Sequence, residues 1–202
     1  MTALDHLIYG ILWLGFGVVH SILAGAPAKR RLAPLVGGKY RLLYNLFAAL
    51  HIALVLYGGQ AFLAERAAAF AWPPEMAAVL SGVRWAGLAI LLGSLTQYDL
   101  GRFGGWTQFK ADLRHQPAVE DEPLHLGGIH RYVRHPLYAG AYLFLWGGAG
   151  DAFGLATAIW GSVYLAIGTH FEERRLLRLH GAAYADYRAA VPALLPWKGR
   201  AL

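Results

Sequence analysis

The sequence contains no cysteine and few charged residues. The absence of cysteine excludes disulfides, thiolate metal sites and a cysteine nucleophile. Only 15% of the 202 residues are charged, against roughly 25% in soluble domains, whereas 57% are hydrophobic. This composition favours a membrane protein over a water-soluble monomer.

The sequence also lacks the pattern of a cleaved signal peptide. Residues 1–14 include Asp5, have no basic n-region and are not followed by a small-residue cleavage site, so we expect a retained first helix. The net charge of +6 could indicate nucleic acid, but the basic residues lie beside apolar stretches and not on one soluble face. We therefore expect membrane lipids as partners and no nucleic acid.

Five apolar stretches predict membrane helices. A spanning helix needs about 20 mostly apolar residues, because lipid offers no hydrogen-bond partner to an open backbone. The stretches are residues 7–24, 42–63, 77–97, 136–149 and 152–169, of which the fourth is short. Gly150 and Asp151 leave room only for a tight turn between the last two, which favours a helical hairpin. The predicted fold is an all-α integral membrane protein with about five transmembrane helices, a C-terminal helical hairpin and a cytoplasmic tail helix.

The distribution of lysine and arginine predicts the orientation of these spans. Residues 25–41 carry five basic residues, residues 98–135 carry five, and the tail after Phe171 carries six. Five spans with the N-terminus outside place all of them on the cytoplasmic side and leave out only Arg66 and Arg84. No internal repeat is present, so we expect residues 1–202 to form a single domain.

Two groups of polar residues lie at the predicted inner ends of spans. Glu172 and Glu173 continue the small-residue side of the last span, where a carboxylate is costly unless a cation pairs with it. Arg134 and His135 precede Pro136, which suits the first turn of a helix whose free N–H groups bind anions. The alternatives are a solvated or arginine-bonded pair of acids and a basic anchor at the lipid headgroups.

These residues belong to an ordered set that resembles a known superfamily. The set is Arg134-His135-Pro136-x-Tyr138-x-Gly140, Glu172-Glu173-x-x-Leu176, Gly181, Tyr184, Tyr187, Val191-Pro192 and Leu195-Pro196. It is similar to the isoprenylcysteine carboxyl methyltransferase and phospholipid methyltransferase superfamily. Residues 19–24, 40–46 and 98–100 resemble its NnrU and methanethiol S-methyltransferase branch, although residues 101–108 look expanded and residues 146–148 depart from that branch.

The resemblance implies methyl transfer from S-adenosylmethionine at the cytoplasmic face of a membrane, with the bacterial inner membrane expected. It implies that His135, Arg134 and Glu173 are the catalytic residues. Arg134 or His135 would bind the carboxylate of the cofactor, and Glu172 or Glu173 its ammonium or ribose diol. The implied cofactor-binding residues are Arg134, His135, Tyr138, Glu172, Glu173, Tyr184 and Tyr187. Of these, Tyr184 and Tyr187 would stack on adenine or close the pocket.

The acceptor is expected to enter from the bilayer, with residues 1–97 forming the acceptor side and residues 98–202 the cofactor segment, hairpin and tail. The expected acceptors are, in order, methanethiol-like thiols, isoprenylated thiol acids and phospholipid amines, and the protein is expected to be a monomer or homodimer. His20 could act as a base for a thiol, although a thiolate would need none. The predicted substrate-binding residues are His20, Tyr44, Asn45 and Gln97. His51 is a further candidate contact to the acceptor in these spans. The alternative for these polar side chains is an interhelical hydrogen bond.

Three interpretations other than methyl transfer concern a metal site, a reductase and a non-catalytic protein. His125, His130 and His135 recur every five residues, which separates successive rings by about 140° on a helix, so no metal is expected. An NADPH-dependent membrane reductase remains open, although no glycine-rich dinucleotide fingerprint is present. A non-catalytic, NnrU-like membrane factor also remains open.

Overall fold

The structure, a computed structural model, describes residues 1–117 and 124–198. Within these ranges the secondary structure is helical, with no strand beyond one isolated bridge between Ala69 and Asp151. The α-helices are α1 (Ala3–Ala24), α2 (Ala26–Val36), α3 (Tyr40–Leu63), α4 (Pro74–Leu95), α5 (Leu100–Gly104), α6 (Trp106–Leu113), α7 (Pro136–Gly147), α8 (Ala152–His180) and α9 (Ala182–Ala190). Short 3-10 turns occupy Gly37–Lys39, Ala64–Arg66 and Gly128–Arg131.

Four helical segments of the described chain are long and apolar enough to cross a membrane, namely Ala3–Ala24, Ala26–Arg66, Pro74–Leu95 and Ala152–His180. They confirm the prediction of an all-α membrane protein. The fourth predicted span, residues 136–149, contains α7, which has only 12 residues. At 1.5 Å per residue α7 is about 18 Å long, short of the roughly 30 Å of a hydrocarbon core. The number of about five spans therefore stays a prediction.

Local capping residues fix where the helices begin and end. At α1 the Asp5 N–H donates to Thr2 Oγ1 at 3.2 Å and the Thr2 N–H donates to the Asp5 carboxylate at 2.7 Å, forming a capping box. Asp151 accepts from the Gly154 N–H at 2.6 Å at the start of α8. Gly181, with a φ of +53°, ends α8, so the tail residues that follow form the separate helix α9.

The chain divides into two compact units. The first contains Met1–Arg66 and Tyr98–Glu122, and the second contains Ala67–Gln97 and Pro123–Leu202. Helices α1, α2, α3, α5 and α6 belong to the first unit, whereas α4, α7, α8 and α9 belong to the second. The sequence grouped α4 with the first two spans, while in the structure it packs with α7. The single domain expected for residues 1–202 stays a prediction.

Glycine residues let α4 and α7 approach within backbone contact. A Cβ atom added at Gly87 of α4 would lie 2.7 Å from the Gly140 carbonyl oxygen of α7. One added at Gly140 would lie 2.6 Å from the Leu91 amide nitrogen. Because both obstacles are backbone atoms, no side-chain rotation can relieve them. Close approach at small residues is the usual way in which apolar helices associate in membranes.

Helices α7 and α8 form the hairpin that the sequence predicts. Ser162 of α8 joins it to α7, because the Ser162 Oγ accepts from Trp146 Nε1 at 3.0 Å and its carbonyl accepts from the Tyr142 hydroxyl at 3.2 Å. The loop before α4 is hydrogen-bonded to the turn between α7 and α8, since the Phe70 N–H donates to the Gly150 carbonyl at 3.1 Å. This pairing satisfies backbone groups that an apolar surrounding would leave unpaired.

Replacing Gly87 by Ala should separate α4 from α7 and destabilise the protein by about 1–3 kcal/mol, the usual cost of overpacking. Gly82→Ala on the same helix is the matched control, because nothing lies within 4 Å of a Cβ added there. Thermal unfolding in detergent should show a lower midpoint for Gly87→Ala and no loss for Gly82→Ala. Equal midpoints for the two variants would contradict the backbone contact.

Candidate functional site

The second unit brings together the two polar groups that the sequence predicts, although 38 residues separate His135 from Glu173. Arg134 Nε donates to Glu173 Oε1 at 3.0 Å, and Arg134 Nη2 donates to the same oxygen. His135 Nε2 lies 3.2 Å from Glu173 Oε1, and His135 Nδ1 lies 3.8 Å from Glu172 Oε2. The Arg134 and Glu173 side chains are only 9% and 17% exposed, so this ion pair is largely withdrawn from water. These four residues are called the inner cluster below.

The start of α7 holds His135 in place. His135 is the N-cap of α7 and Pro136 is its first residue, with its φ already suited to a helix. Both residues are buried. The His135 ring stacks on the Tyr138 ring at a centroid distance of 5.5 Å and an interplanar angle of 13°. Tyr138, an implied cofactor-binding residue, therefore lies against the inner cluster.

The tail after α9 is bound to the same segment. The Arg134 N–H donates to the Pro192 carbonyl at 2.9 Å and the His135 N–H donates to the Ala193 carbonyl at 3.0 Å. Arg134 Nη1 donates to the Val191 carbonyl and, at 3.2 Å, to the Arg188 carbonyl. Arg134 therefore joins α8 to the tail, and its guanidinium donors are largely used within the chain. The sequence instead expected Arg134 or His135 to bind a carboxylate of the cofactor.

Tyr184 and Tyr187 pack in the core of the tail. They are 1% and 6% exposed and pack with Val191 against Leu124, Leu176 and Leu177. The Tyr187 hydroxyl donates to the His130 carbonyl at 2.7 Å. The Tyr187 side chain therefore has its contacts within the protein. The sequence had predicted that both tyrosines stack on adenine or close the pocket.

Two polar atoms around the inner cluster are buried without a hydrogen-bond partner in the described part of the chain. They are Glu172 Oε2 and the Tyr184 hydroxyl. Burial, and next the negative charge of Glu173, raise the pKa of Tyr184 to about 12, so its hydroxyl stays protonated and can donate. A carboxylate oxygen that accepts and a hydroxyl that donates are suited to a polar ligand with both kinds of group.

His130 is a buried histidine near the inner cluster. Burial, and then the nearby His125 and His135 rings, lower the pKa of His130 from 6.5 to about 4, so its ring is neutral near pH 7. The His125 and His130 ring centroids are 6.1 Å apart. Among residues 1–117 and 124–198, no group of three or more His, Asp or Glu side chains is arranged to hold a metal ion.

Three of the predicted substrate-binding residues lie in the first unit and one in the second. The Tyr44 hydroxyl lies 3.0 Å from His20 Nε2, and Asn45 Nδ2 donates to the Phe103 carbonyl at 2.9 Å. In the second unit Gln97 Nε2 lies 3.3 Å from Thr96 Oγ1. Each side chain thus has a hydrogen-bond partner inside its own unit, and their role toward an acceptor stays a prediction.

Replacing Arg134 by Gln should be strongly destabilising, because it leaves the Glu173 carboxylate and two tail carbonyls without their donor. Removing one partner of a buried ion pair typically costs about 3–5 kcal/mol. Arg188→Gln is the control, since Arg188 Nη1 lies 3.9 Å from Glu173 Oε2 and its side chain is 48% exposed. Thermal unfolding and limited proteolysis of the tail should show a large loss only for Arg134→Gln, and similar losses in both variants would refute the arrangement.

The buried His130 predicts a specific pH dependence of stability. Between pH 6.5 and about 4 the unfolded chain binds a proton at this position that the folded chain does not, so the free energy of unfolding falls as the pH is lowered. The full loss is about 3 kcal/mol, at roughly 1.4 kcal/mol per pH unit. His130→Gln should flatten the midpoint-versus-pH curve across this window, whereas a variant of the exposed His170 should keep the wild-type slope. A curve for His130→Gln that parallels the wild type would rule out this origin.

Comparison with known proteins gives relatives along nearly the whole chain. The methanethiol S-methyltransferase of Mycobacterium tuberculosis is 30% identical over 201 residues, which cover 96% of this chain and 80% of that protein. Methanethiol S-methyltransferase 2 of Bradyrhizobium diazoefficiens is 28% identical, and the methanethiol S-methyltransferase of Pseudomonas deceptionensis is 27% identical, each over 188 residues that cover 90% of this chain and 69% of the relative.

No solved structure matches this chain. The NnrU protein family matches residues 7–149, from α1 through the end of α7. That range is more than half of the sequence and includes Arg134, His135 and Tyr138. The chain therefore belongs to the NnrU protein family.

Proposed function

We propose that this protein transfers a methyl group from S-adenosylmethionine to a small thiol of the methanethiol type. The relatives named methanethiol S-methyltransferase support the reaction and the class of acceptor. The observation that carries the proposal is the inner cluster, in which Arg134, His135, Glu172 and Glu173 meet at the start of α7. Within the described residues, Glu172 Oε2 and the nearby Tyr184 hydroxyl are buried and lack a hydrogen-bond partner of normal geometry.

The residues of the inner cluster fit the polar groups of this cofactor. S-Adenosylmethionine carries an ammonium, a carboxylate and a ribose diol. Glu172 Oε2 is buried, has no hydrogen-bond partner among the described residues and can accept a hydrogen bond from the ammonium or the diol. The Tyr184 hydroxyl can donate to an oxygen of the ligand. We assign the carboxylate to His135, because Arg134 uses its donors on Glu173 and the tail.

Arg134 and Glu173 then act together as one positioning element. The ion pair fixes the Glu173 carboxylate beside His135, and the hydrogen bonds from Arg134 to the tail carbonyls hold the tail on the start of α7. With the tail bound there, the Arg134 and Glu173 side chains are only 9% and 17% exposed, so water has little access to this ion pair. Water exclusion favours a displacement in which charge is neutralised, as it is when a thiolate attacks a sulfonium methyl group.

The bound cofactor supplies the activated methyl group, so the chain needs to bind and orient both reactants. A thiol acceptor that arrives as the thiolate needs no base, whereas a neutral thiol needs a neighbouring proton acceptor. We further propose that the site opens to the cytoplasm of a bacterial inner membrane, with the N-terminus outside and the C-terminus inside. The excess of lysine and arginine in the predicted inner segments supports this orientation.

Calorimetric titration of the purified protein should show binding of S-adenosylmethionine and none of NADPH. Replacing Glu172 by Gln should weaken that binding about tenfold, the effect of losing a charge-assisted hydrogen bond, without changing the thermal midpoint. Asp186→Asn on α9 is the control, because Asp186 is exposed and lies outside the inner cluster.

Membranes supplied with methyl-labelled cofactor and methanethiol should yield labelled dimethyl sulfide. Binding of NADPH alone would replace the proposal with a reductase. Binding of neither compound would favour a non-catalytic membrane factor.

A further inference from the structure

The tail carries two large apolar side chains that are exposed after its own core has formed. Leu195 is 64% exposed and Trp197 is 67% exposed, and Pro196 between them is exposed as well. The buried core of the tail lies on α9 and at Val191, earlier in the chain. Adjacent apolar side chains that remain exposed commonly mark a surface that a partner or a membrane covers. Residues 194–198 are called the tail loop below.

Hydrogen bonds hold the tail loop in a turn. The Trp197 N–H donates to the Leu195 carbonyl at 3.0 Å, so the chain bends at Pro196. Lys198 Nζ donates to the Ala189 carbonyl of α9 at 3.3 Å. The loop therefore presents Leu195 and Trp197 on a bend whose far end is tied back to α9.

The tail approaches this bend in the same direction as the start of α7. The Arg134 N–H donates to the Pro192 carbonyl and the His135 N–H donates to the Ala193 carbonyl, so successive residues of the two segments are paired. The tail loop follows Ala193 directly, as α7 follows His135. The tail loop therefore lies beside the first turn of α7.

The packing of α4 on α7 shows where that first turn lies relative to a membrane. A Cβ atom added at Gly140 would lie 2.6 Å from the Leu91 amide nitrogen, and one added at Gly147 would lie 2.7 Å from the Leu80 carbonyl oxygen. The two helices are therefore antiparallel, and the start of α7 is level with the end of α4. Because α4 is long and apolar enough to span a membrane, its end marks the membrane boundary. The tail loop lies at this boundary.

The side chains at this level are of the kinds that occur at lipid headgroups. Tyr132 is 47% exposed and Arg131 is exposed just before α7, and Lys198 is exposed at the end of the tail loop. Tryptophan and tyrosine are enriched at membrane interfaces, where lysine and arginine attract anionic lipids. Residues 174–198 carry five basic residues and one acidic residue, so their net charge complements an anionic surface.

We propose that the tail loop inserts Leu195 and Trp197 into the headgroup region of an anionic phospholipid leaflet, while Arg131 and Lys198 contact the lipid phosphates. The loop is thus a membrane anchor additional to the apolar helices. The inference goes beyond the proposed function, because contact with lipid requires neither cofactor nor acceptor. It also has a consequence for the tail, since an anchored loop holds Pro192 and Ala193 against the segment before α7.

Spin labelling of the full-length protein in lipid vesicles tests the depth of the loop. The chain has no cysteine, so Leu195→Cys provides a single labelling site at an exposed position. Ala183→Cys is the matched control, because Ala183 is exposed on α9, beyond the part of α8 that continues about 10 Å past Glu173. Collisions with oxygen, which concentrates in the membrane, are compared with collisions with a water-soluble nickel chelate.

In vesicles that contain phosphatidylglycerol, the ratio of oxygen to nickel collisions should be severalfold higher at position 195 than at position 183. In vesicles of phosphatidylcholine alone, the ratio at position 195 should fall. Roughly 1 M salt, where the screening length is about 3 Å, should abolish this difference between the vesicles. A double variant, Arg131→Gln with Lys198→Gln, should abolish it too, whereas Arg178→Gln, at an exposed position further along α8, should preserve it.

Three results would overturn the proposal. Equal collision ratios at positions 195 and 183 in the anionic vesicles would place the loop in water. Dipolar broadening between labels at position 195 would show that a second copy of the chain covers the loop. Equal ratios at position 195 in both kinds of vesicle would refute the preference for anionic lipid. If Leu195→Cys does not fold, a label at Trp197→Cys gives the same readout.

Discussion

The second unit depends on the ion pair between Arg134 and Glu173. This contact joins the segment before α7 to the C-terminal part of α8, and the same guanidinium donates to the carbonyls of Arg188 and Val191. Two largely buried charges are stable only when both are present and well hydrogen-bonded, because each alone would carry an uncompensated desolvation cost. Arginine suits this position better than lysine, since its planar group directs several donors to different acceptors at once. The position of His135, stacked on Tyr138 and bonded to Glu173, follows from this contact.

The sequence predicted the apolar helices well because membrane insertion leaves a strong one-dimensional pattern. Runs of apolar residues correspond to α1, α3, α4, α7 and α8, with most boundaries within about four residues of those predicted. The exception is the end of α8, which continues past the apolar run at residue 169 to His180, because its charged last turns remain helical up to Gly181. It also predicted the proximity of Arg134 and His135 to Glu172 and Glu173, but through family resemblance. The packing of α4 against α7 was not predicted, since Gly87 and Gly140 indicate a close approach without identifying the partner helix.

The roles within the inner cluster were harder to predict than its members. Two of the partners of Arg134 are backbone carbonyls, and any residue type can supply a carbonyl, so no sequence pattern marks them. The family resemblance implied that Tyr187 stacks on adenine or closes the pocket, yet its ring packs in the core of the tail and its hydroxyl donates to the His130 carbonyl. A small helical tail needs large side chains for its own core, and Tyr187 serves that need. The motif thus combines residues that hold the structure with residues that remain open to a ligand.

Hydrogen-bond satisfaction separates these two kinds of residue. Arg134 and the His20–Tyr44 pair have partners within the chain, so their polarity is explained by the fold itself. Glu172 Oε2 is buried without a hydrogen-bond partner in the described residues, with His135 Nδ1 3.8 Å away. If no ligand binds such an atom, its burial lowers the stability of the fold, and an apolar substitution could restore that stability. The acceptor oxygen of Glu172 in this polar cluster therefore suits the ligand of the proposed function, whose ammonium or hydroxyl group would donate to it.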